Sequence, residues 1–415
     1  MTVSKNIPNV NDAFFQPLAG LAAASAAARP CPELSDENWM RLGLQRVLES
    51  SPSGRGFLQE HGPRFEGTPK HSNYFASLHS ERRLSVLQDV NLALLDSAKF
   101  DDRLAELPEL SNYECFALDG HWHQAATHDP RHEGVKMAVG HCYSLNLRGH
   151  QLGHLTAAEG LHEHDMSMLK RLTPRGLRQR VRKGRRVIIV YDKAGIDFGY
   201  WKRCRHECAV YFLSRPKEGM VFGWEESRAF DRSDPRNAGV TQDDRVVTRE
   251  GSSLRLIHYV EPGTGDRYEF LTNEPDLPPG VLVELYRRRW DIEKVFDEIK
   301  NKLHERKAWG SGLVAKSTQG QFLALAHNLL LLYERRLEQE HGVTNTAEDN
   351  RRARRQSELA EQAGIIGRAI PTLLLTARTA TQRSVKFIRW LRHAIRERLA
   401  EEAAVPRLRQ LYAHL

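Results

Sequence analysis

The chain has 415 residues, enough for two to four domains and a sizeable buried core. Its 40% apolar and 27% charged content is ordinary for a soluble globular protein, and 61 Lys+Arg against 53 Asp+Glu leave a net charge of +8. That modest excess leans toward a polyanionic partner without requiring one. Five cysteines (Cys31, Cys115, Cys142, Cys204 and Cys208) are odd in number and lack pairing logic, which fits a reducing cytoplasm better than a disulfide scaffold. No apolar run approaches the roughly 18 residues a membrane helix needs.

Residues 1–108 read as helical. "PLAGLAAASAAARP" has the look of a signal-peptide core, but Asp12 and the single Lys5 make a poor leader, so an alanine-rich helix is preferred. "SDENWMRLGLQRVLES" opens with a Ser cap and carries Trp39, Leu42, Val47 and Leu48 at near-helical spacing. "ERRLSVLQDVNLALL" is a second amphipathic helix. Between them "SSPSGRGFLQEHGPRFEGTPKHS" is read as loop from its Gly, Pro and Ser.

Strands follow from residue 109. "ECFALDG" reads as a short buried strand ending at Asp119, and the segment from Val135 to Gly160 as two strands joined at Arg148-Gly149. "MSMLKRLTPRGLRQRVRKG" is helical and basic. "RRVIIVYDKAG" is a continuous apolar strand stopping at Asp192, and "CAVYFLSRP" is another. This order predicts an α/β sheet with helices packed on it. Residues 217–271 alternate short β-like pieces with turns and are read as an inserted β subdomain, closed by "NEPDLPPG". "TQGQFLALAHNLLLLYERRLEQE" is a core helix, "HGVTNTAEDNRRARRQSE" a polar linker, and the remainder helical and basic through Arg389, Arg392, Arg396 and Arg398.

"YRRRWDIEKVFDEIK", residues 286–300, places a glutamate within a basic stretch. On a regular helix Tyr286, Arg289, Glu293 and Lys300 share an arc of roughly 60°. Ile292, Val295, Phe296, Ile299 and Leu303 fall on another face. The plainest reading is a solvated face with an i,i+4 ion pair between Arg289 and Glu293. However, the spacing Tyr-(2)-Arg-(3)-Glu-(6)-Lys matches at every position the YREK signature of the insertion-sequence-4-type DDE transposases. The block "FLTNEPDLPPGVLVELYRRRWDIEKVFDEIKNKL" resembles the family's glutamate helix, and the likeness runs from about residue 112 to 340. The family requires two strand-terminal aspartates upstream with a β insertion after the second; Asp119, Asp192 and the interval to Glu293 meet that requirement.

The resemblance implies a ribonuclease-H-like catalytic core with an inserted β subdomain, flanked by N- and C-terminal helical domains. It implies a bacterial cytoplasmic transposase that cuts element ends and joins 3′ hydroxyls to target DNA, using Mg²⁺ or Mn²⁺, two ions in all. Asp119, Asp192 and Glu293 are the expected metal ligands, since in-line phosphodiester displacement suits two metals clamped by hard carboxylate oxygens. Tyr286, Arg289 and Lys300 are expected on DNA. Trp224, in "VFGWEESRAF", is either core or the tryptophan that related transposases stack on a flipped base. The partners implied are duplex DNA with terminal inverted repeats, target DNA and a second copy of the chain.

The expected domains are 1–108 for end recognition, 109–216 and 272–341 for the catalytic core, 217–271 for the insertion, and 342–415 for pairing subunits. A stand-alone nuclease on the same fold and a non-catalytic transposase-derived DNA binder remain as alternatives.

Other constellations compete. His121, His123, His128 and His132, with His150, His154, His162 and His164, allow a zinc reading through His121-x-His123, but surface or supporting histidines near the site are preferred. Cys204 and Cys208 have no second pair at zinc spacing. Residues 170–186 carry nine Lys or Arg, read either as a solvated face or as phosphate contacts. Asp197, five residues past Asp192, is set aside because Asp192 ends the apolar strand.

Overall fold

The computed structural model describes residues 9–413 except 32, 50–52, 65–69, 132, 161–162, 179–180, 182 and 366–382. Its centre is one nine-stranded sheet, ordered β3-β2-β1-β4-β5-β9-β8-β7-β6. The strands are β1 (Tyr113–His123), β2 (Val139–Asn146), β3 (Leu152–Ala157), β4 (Arg186–Val190), β5 (Val210–Ser214), β6 (Gly223–Ser227), β7 (Val240–Val247), β8 (Ser253–Val260) and β9 (Arg267–Thr272). β1, β4 and β5 are parallel neighbours, and the remaining pairs are antiparallel. Parallel strands are buried on both faces, which is why "RVIIV" is apolar at every position after its arginine.

Alternate residues of these strands feed two cores. Cys115, Ala117, Ile188 and Val190 face one that continues into the N- and C-terminal helices. Phe116, Leu118, Val187, Ile189 and Tyr191 face the other, with Met168, Leu169 and Trp201. The β6–β9 strands extend the same sheet from its β5 edge, where Leu213 and Ser214 pair with Thr272 and Leu271.

The helices are α1 (Val10–Phe15), α2 (Leu21–Ala24), α3 (Asp36–Glu49), α4 (Gly54–His61), α5 (His71–Ser77), α6 (Glu81–Ser97), α7 (Asp165–Arg171), α8 (Pro174–Arg178), α9 (Phe198–Cys208), α10 (Pro279–Arg288), α11 (Trp290–Asp297), α12 (Leu313–His341), α13 (Thr346–Ile365), α14 (Val385–Arg396) and α15 (Glu401–Ala413). Buried on every side from Thr318 to Leu330, α12 is the central axis. It approaches β3 where an added Cβ on Gly320 would lie 2.3 Å from the His154 ring, and α3 where one on Gly43 would meet Phe322 at 2.2 Å. Among the described residues no helix is long and apolar enough to cross a membrane.

The structure departs from the sequence reading in several places. The alanine-rich segment gives only the single turn α2, because Ser25 turns extended and its hydroxyl donates to Asp89 Oδ2 at 2.7 Å. The Gly/Pro/Ser-rich loop contains α4, capped by Ser53 and anchored by buried Phe57, Leu58 and His61. The polar linker includes α13, whose charged residues are good helix formers and include the i,i+4 pair Arg354–Glu358. β1 does not end at Asp119 but runs four residues further, since β2 continues to pair with it through His123↔Val139.

Candidate active site

β1 and β4 pair in parallel from Tyr113↔Arg186 to Ala117↔Val190. Asp119 and Asp192 each lie two residues beyond that last pair, so they occupy equivalent positions on strands spaced about 4.8 Å apart. Period-two alternation keeps both on the face of Ala117 and Val190. There β4 ends, and Asp192 caps a short 3₁₀ turn by accepting from Ala194 N at 2.8 Å. The ladder opens at the two aspartates.

Glu293 reaches the same opening from α11. The apolar stripe of this segment is buried as its periodicity predicts, with Ile292, Ile299 and Leu303 fully inaccessible. Phe296, one turn beyond Glu293, lies 4.8 Å between ring centroids from His121, two residues beyond Asp119. That contact fixes the helix to β1. The helix itself is interrupted, contrary to the ideal periodicity: α10 ends at Arg288, Arg289 forms the joint, and α11 passes into a π turn over Glu298–Lys302. Buried Glu298 anchors this turn, paired with Arg383 and 3.1 Å from His327 Nδ1. The extra residue per turn breaks the simple arc to Lys300, which stays exposed near His121.

Arg289, expected on DNA and on a solvent-facing stripe, is only 7% exposed and spans two carboxylates. Nη1 donates to Asp119 Oδ2 at 3.3 Å and Nη2 to Glu293 Oε1 at 2.8 Å. The guanidinium lies over Tyr286 and Trp290, 5.9 and 5.5 Å from their centroids. Tyr286 is half-buried against Phe270, whereas Trp290 is exposed.

Burial is the main force on Asp119, pushing its carboxyl up to about 7; Gly120 N and Arg289 oppose it, while Asp192 and Asp165 reinforce it. Asp165, the first residue of α7, is the site residue that sequence reading missed. It comes from the opposite face of the sheet, through the space left by Gly120, where an added Cβ would lie 2.3 Å from its Oδ1. Burial and then Asp192 raise its carboxyl too, and Oδ1 is buried without a hydrogen-bond partner among the described residues. Nothing in "HEHDMSML" marks an acid at a helix start as anything but ordinary.

Among the described residues, no three His, Cys, Asp or Glu side chains are already gathered as a metal cage. Arg289 instead pairs with both Asp119 and Glu293, a positive charge between two carboxylates that could hold a cation. The donor set is carboxylate oxygen only, which fits Mg²⁺ or Mn²⁺ rather than zinc.

The other candidates separate. His121, His123, His141 and His154 are buried on the sheet and not on the surface; His141 Nδ1 lies 3.1 Å from His154 Nε2. Burial holds His121 down to about 4 and His123 down to about 3, so they are neutral packing groups near neutral pH. His132 and His162 lie outside the described residues. Asp197 caps α9 by accepting from Tyr200 N and pairs with Lys170. In the basic stretch, Arg171 pairs with Glu159 and Glu163, Arg185 with Glu114, and Arg186 with Asp276. Trp224 is on β6, 67% exposed, and therefore not core.

The sequence pattern of the family described as "Transposase DDE domain" matches residues 119–329, just over half of the chain, beginning at the first aspartate of the site. The chain is also similar to the curated protein named "Putative transposase y4zB" of Sinorhizobium fredii (strain NBRC 101917 / NGR234). The two are 28% identical over 152 residues, 35% of this chain and 42% of that protein. The chain thus spans less than half the length of that relative.

Proposed function

The chain belongs to the family of transposase DDE domains, and on that premise we propose that it cuts the ends of a bacterial insertion sequence and joins the freed 3′ hydroxyls to target DNA. The observation carrying this reading is the matched register of Asp119 and Asp192 beside a helix whose Glu293 is tied to Asp119 through Arg289. The spacing of Tyr286, Arg289, Glu293 and Lys300 favours the insertion-sequence-4-type branch. The order β3-β2-β1-β4-β5, with β1, β4 and β5 parallel, supports a ribonuclease-H-like core. We assign 109–216 and 272–341 to that core, 217–271 to the insertion, 1–108 to recognition of inverted repeats, and 342–415 to pairing two subunits.

DDE transposase domains work with divalent metal ions, and Asp119, Asp192 and Glu293 would hold the pair here. Bound there, the ions supply charge neutralisation at the scissile phosphate and activation of the attacking oxygen. The chain's own residues do the remainder. Arg289, which bridges Asp119 and Glu293, would be placed to take a phosphate oxygen there if those carboxylates held metal. Lys300 offers an exposed ammonium alongside. Tyr286 contacts the terminal backbone, and exposed Trp224 offers a stacking face for an extruded base.

A duplex bearing the element's terminal repeat, incubated with a plasmid and Mg²⁺, tests the reading. Joined product is expected. Cutting without joining would identify a stand-alone nuclease, and binding with neither would identify a non-catalytic DNA binder; both outcomes contradict the proposal.

A further inference from the structure

A groove of about 980 Å³ opens between α4 and the segment 304–311, beyond the far end of β1. The two meet at the strand: Gln124 N donates to Arg306 O and Ala308 N to Gln124 O, both at 2.8 Å, so Arg306 and Lys307 are held against the extension of the catalytic strand. Arg55, His79, His128, His304, Arg306 and Lys307 line the groove as exposed side chains. Glu305 is its acidic lining residue among those described, and its Oε2 accepts from Trp309 Nε1 at 2.8 Å and Gln319 Nε2 at 3.0 Å.

Arg46 is the unusual member. It is 8% exposed, its guanidinium stacks 4.1 Å from the Trp309 ring centroid, and Nη1 has no hydrogen-bond partner among the described residues. The same guanidinium is pressed under the first turn of α4, where an added Cβ on Gly54 would lie 3.0 Å from Arg46 Cζ. A helix N-terminus carries partial positive charge and unpaired N–H groups. Buried Glu305 supplies the countercharge to Arg46, so the groove's uncompensated positive charge is on its exposed rim, Arg55, Arg306 and Lys307.

We propose that this groove binds the phosphate backbone of duplex DNA flanking the cut through its exposed rim, Arg55, Arg306 and Lys307. The partner's identity rests on the DNA-cutting reading above. Geometry agrees with a continuous track: Gln124 is five residues beyond Asp119, about 17 Å along an extended strand. That is roughly five base-pair steps of a duplex. Exposed Lys300 lies between.

The test is a salt titration of binding to a fluorescein-labelled duplex, in chelator so that nothing is cut. The exposed triple variant Arg55→Ala, Arg306→Ala, Lys307→Ala should fold as the parent and bind at least about tenfold more weakly. Its slope of log affinity against log salt should be shallower by about 2 to 3, near 0.9 per lost phosphate contact. A control lacking Arg354, Arg355 and Arg407 makes the same change in net charge. An unchanged slope in the triple variant, or an equal loss in the control, would overturn the proposal. Because the assay reads binding without cleavage, its failure leaves the carboxylate site standing, and a failure of cleavage leaves the groove standing.

Discussion

The carboxylate of Asp165 lies where a side chain on Gly120 would have to go, 2.3 Å from the position of an added Cβ. The strand's pleat turns Gly120 to the α7 face while Asp119 faces α11, so the absent side chain brings a carboxylate through the sheet's edge toward Asp119 and Asp192. Gly120→Ala should displace it at a cost of about 1 kcal/mol or somewhat more, read by urea unfolding. An unaltered midpoint would mean that Asp165 is free to move and has no fixed place in the site.

Asp119 gives a pH signature. With its folded value raised to about 7, chiefly by burial, the folded state holds the extra proton between its unfolded value near 4 and that point. Stability therefore falls as pH rises through this window, and the deficit is complete above it. In chelator, Asp119→Asn should melt higher than the parent at about pH 8 and no higher at about pH 4. Mg²⁺ at the upper pH should stabilise the parent and leave the variant unmoved. A variant advantage that grew on acidification would reverse the sign and refute the assignment.

Arg289 holds together two carboxylates that repel. Because it is buried, Arg289→Ala should cost about 2 kcal/mol in metal-free buffer, more than the ~1 kcal/mol ceiling of an exposed pair. Mg²⁺ should recover much of that loss by taking over the neutralisation, while binding of the DNA end stays weak. Thermal melts with and without Mg²⁺ check this; a loss that Mg²⁺ leaves untouched would make Arg289 purely structural.

Sequence carried the central elements. The apolar run Val187–Val190 announces a central strand, and the stripe Ile292–Val295–Phe296–Ile299–Leu303 announces the face α11 buries. What it concealed depended on neighbours remote in the chain. His121 and His123 read as surface or supporting histidines because polar residues rarely line a buried strand; here pairing with β2 and the Phe296 ring of α11 enclose them. Arg289 reads as surface because one helix cannot announce that β1 lies above it. Asp165 acquires its meaning only from Gly120, 45 positions earlier (165 − 120) and on another element. The π turn is anchored by Glu298 pairing with Arg383, 85 positions further along, which no local pattern encodes.

The most direct test of the central claim is end cleavage by Glu293→Gln, which keeps the side chain's shape and removes the charge that would hold metal. With a duplex carrying the terminal repeat and Mg²⁺, the variant should bind the end as the parent does and melt within about 1 kcal/mol of it, since the pair with Arg289 is partly exposed on its glutamate side. Strand cleavage should disappear. Cleavage at the parent's rate by folded, DNA-bound Glu293→Gln would contradict the account.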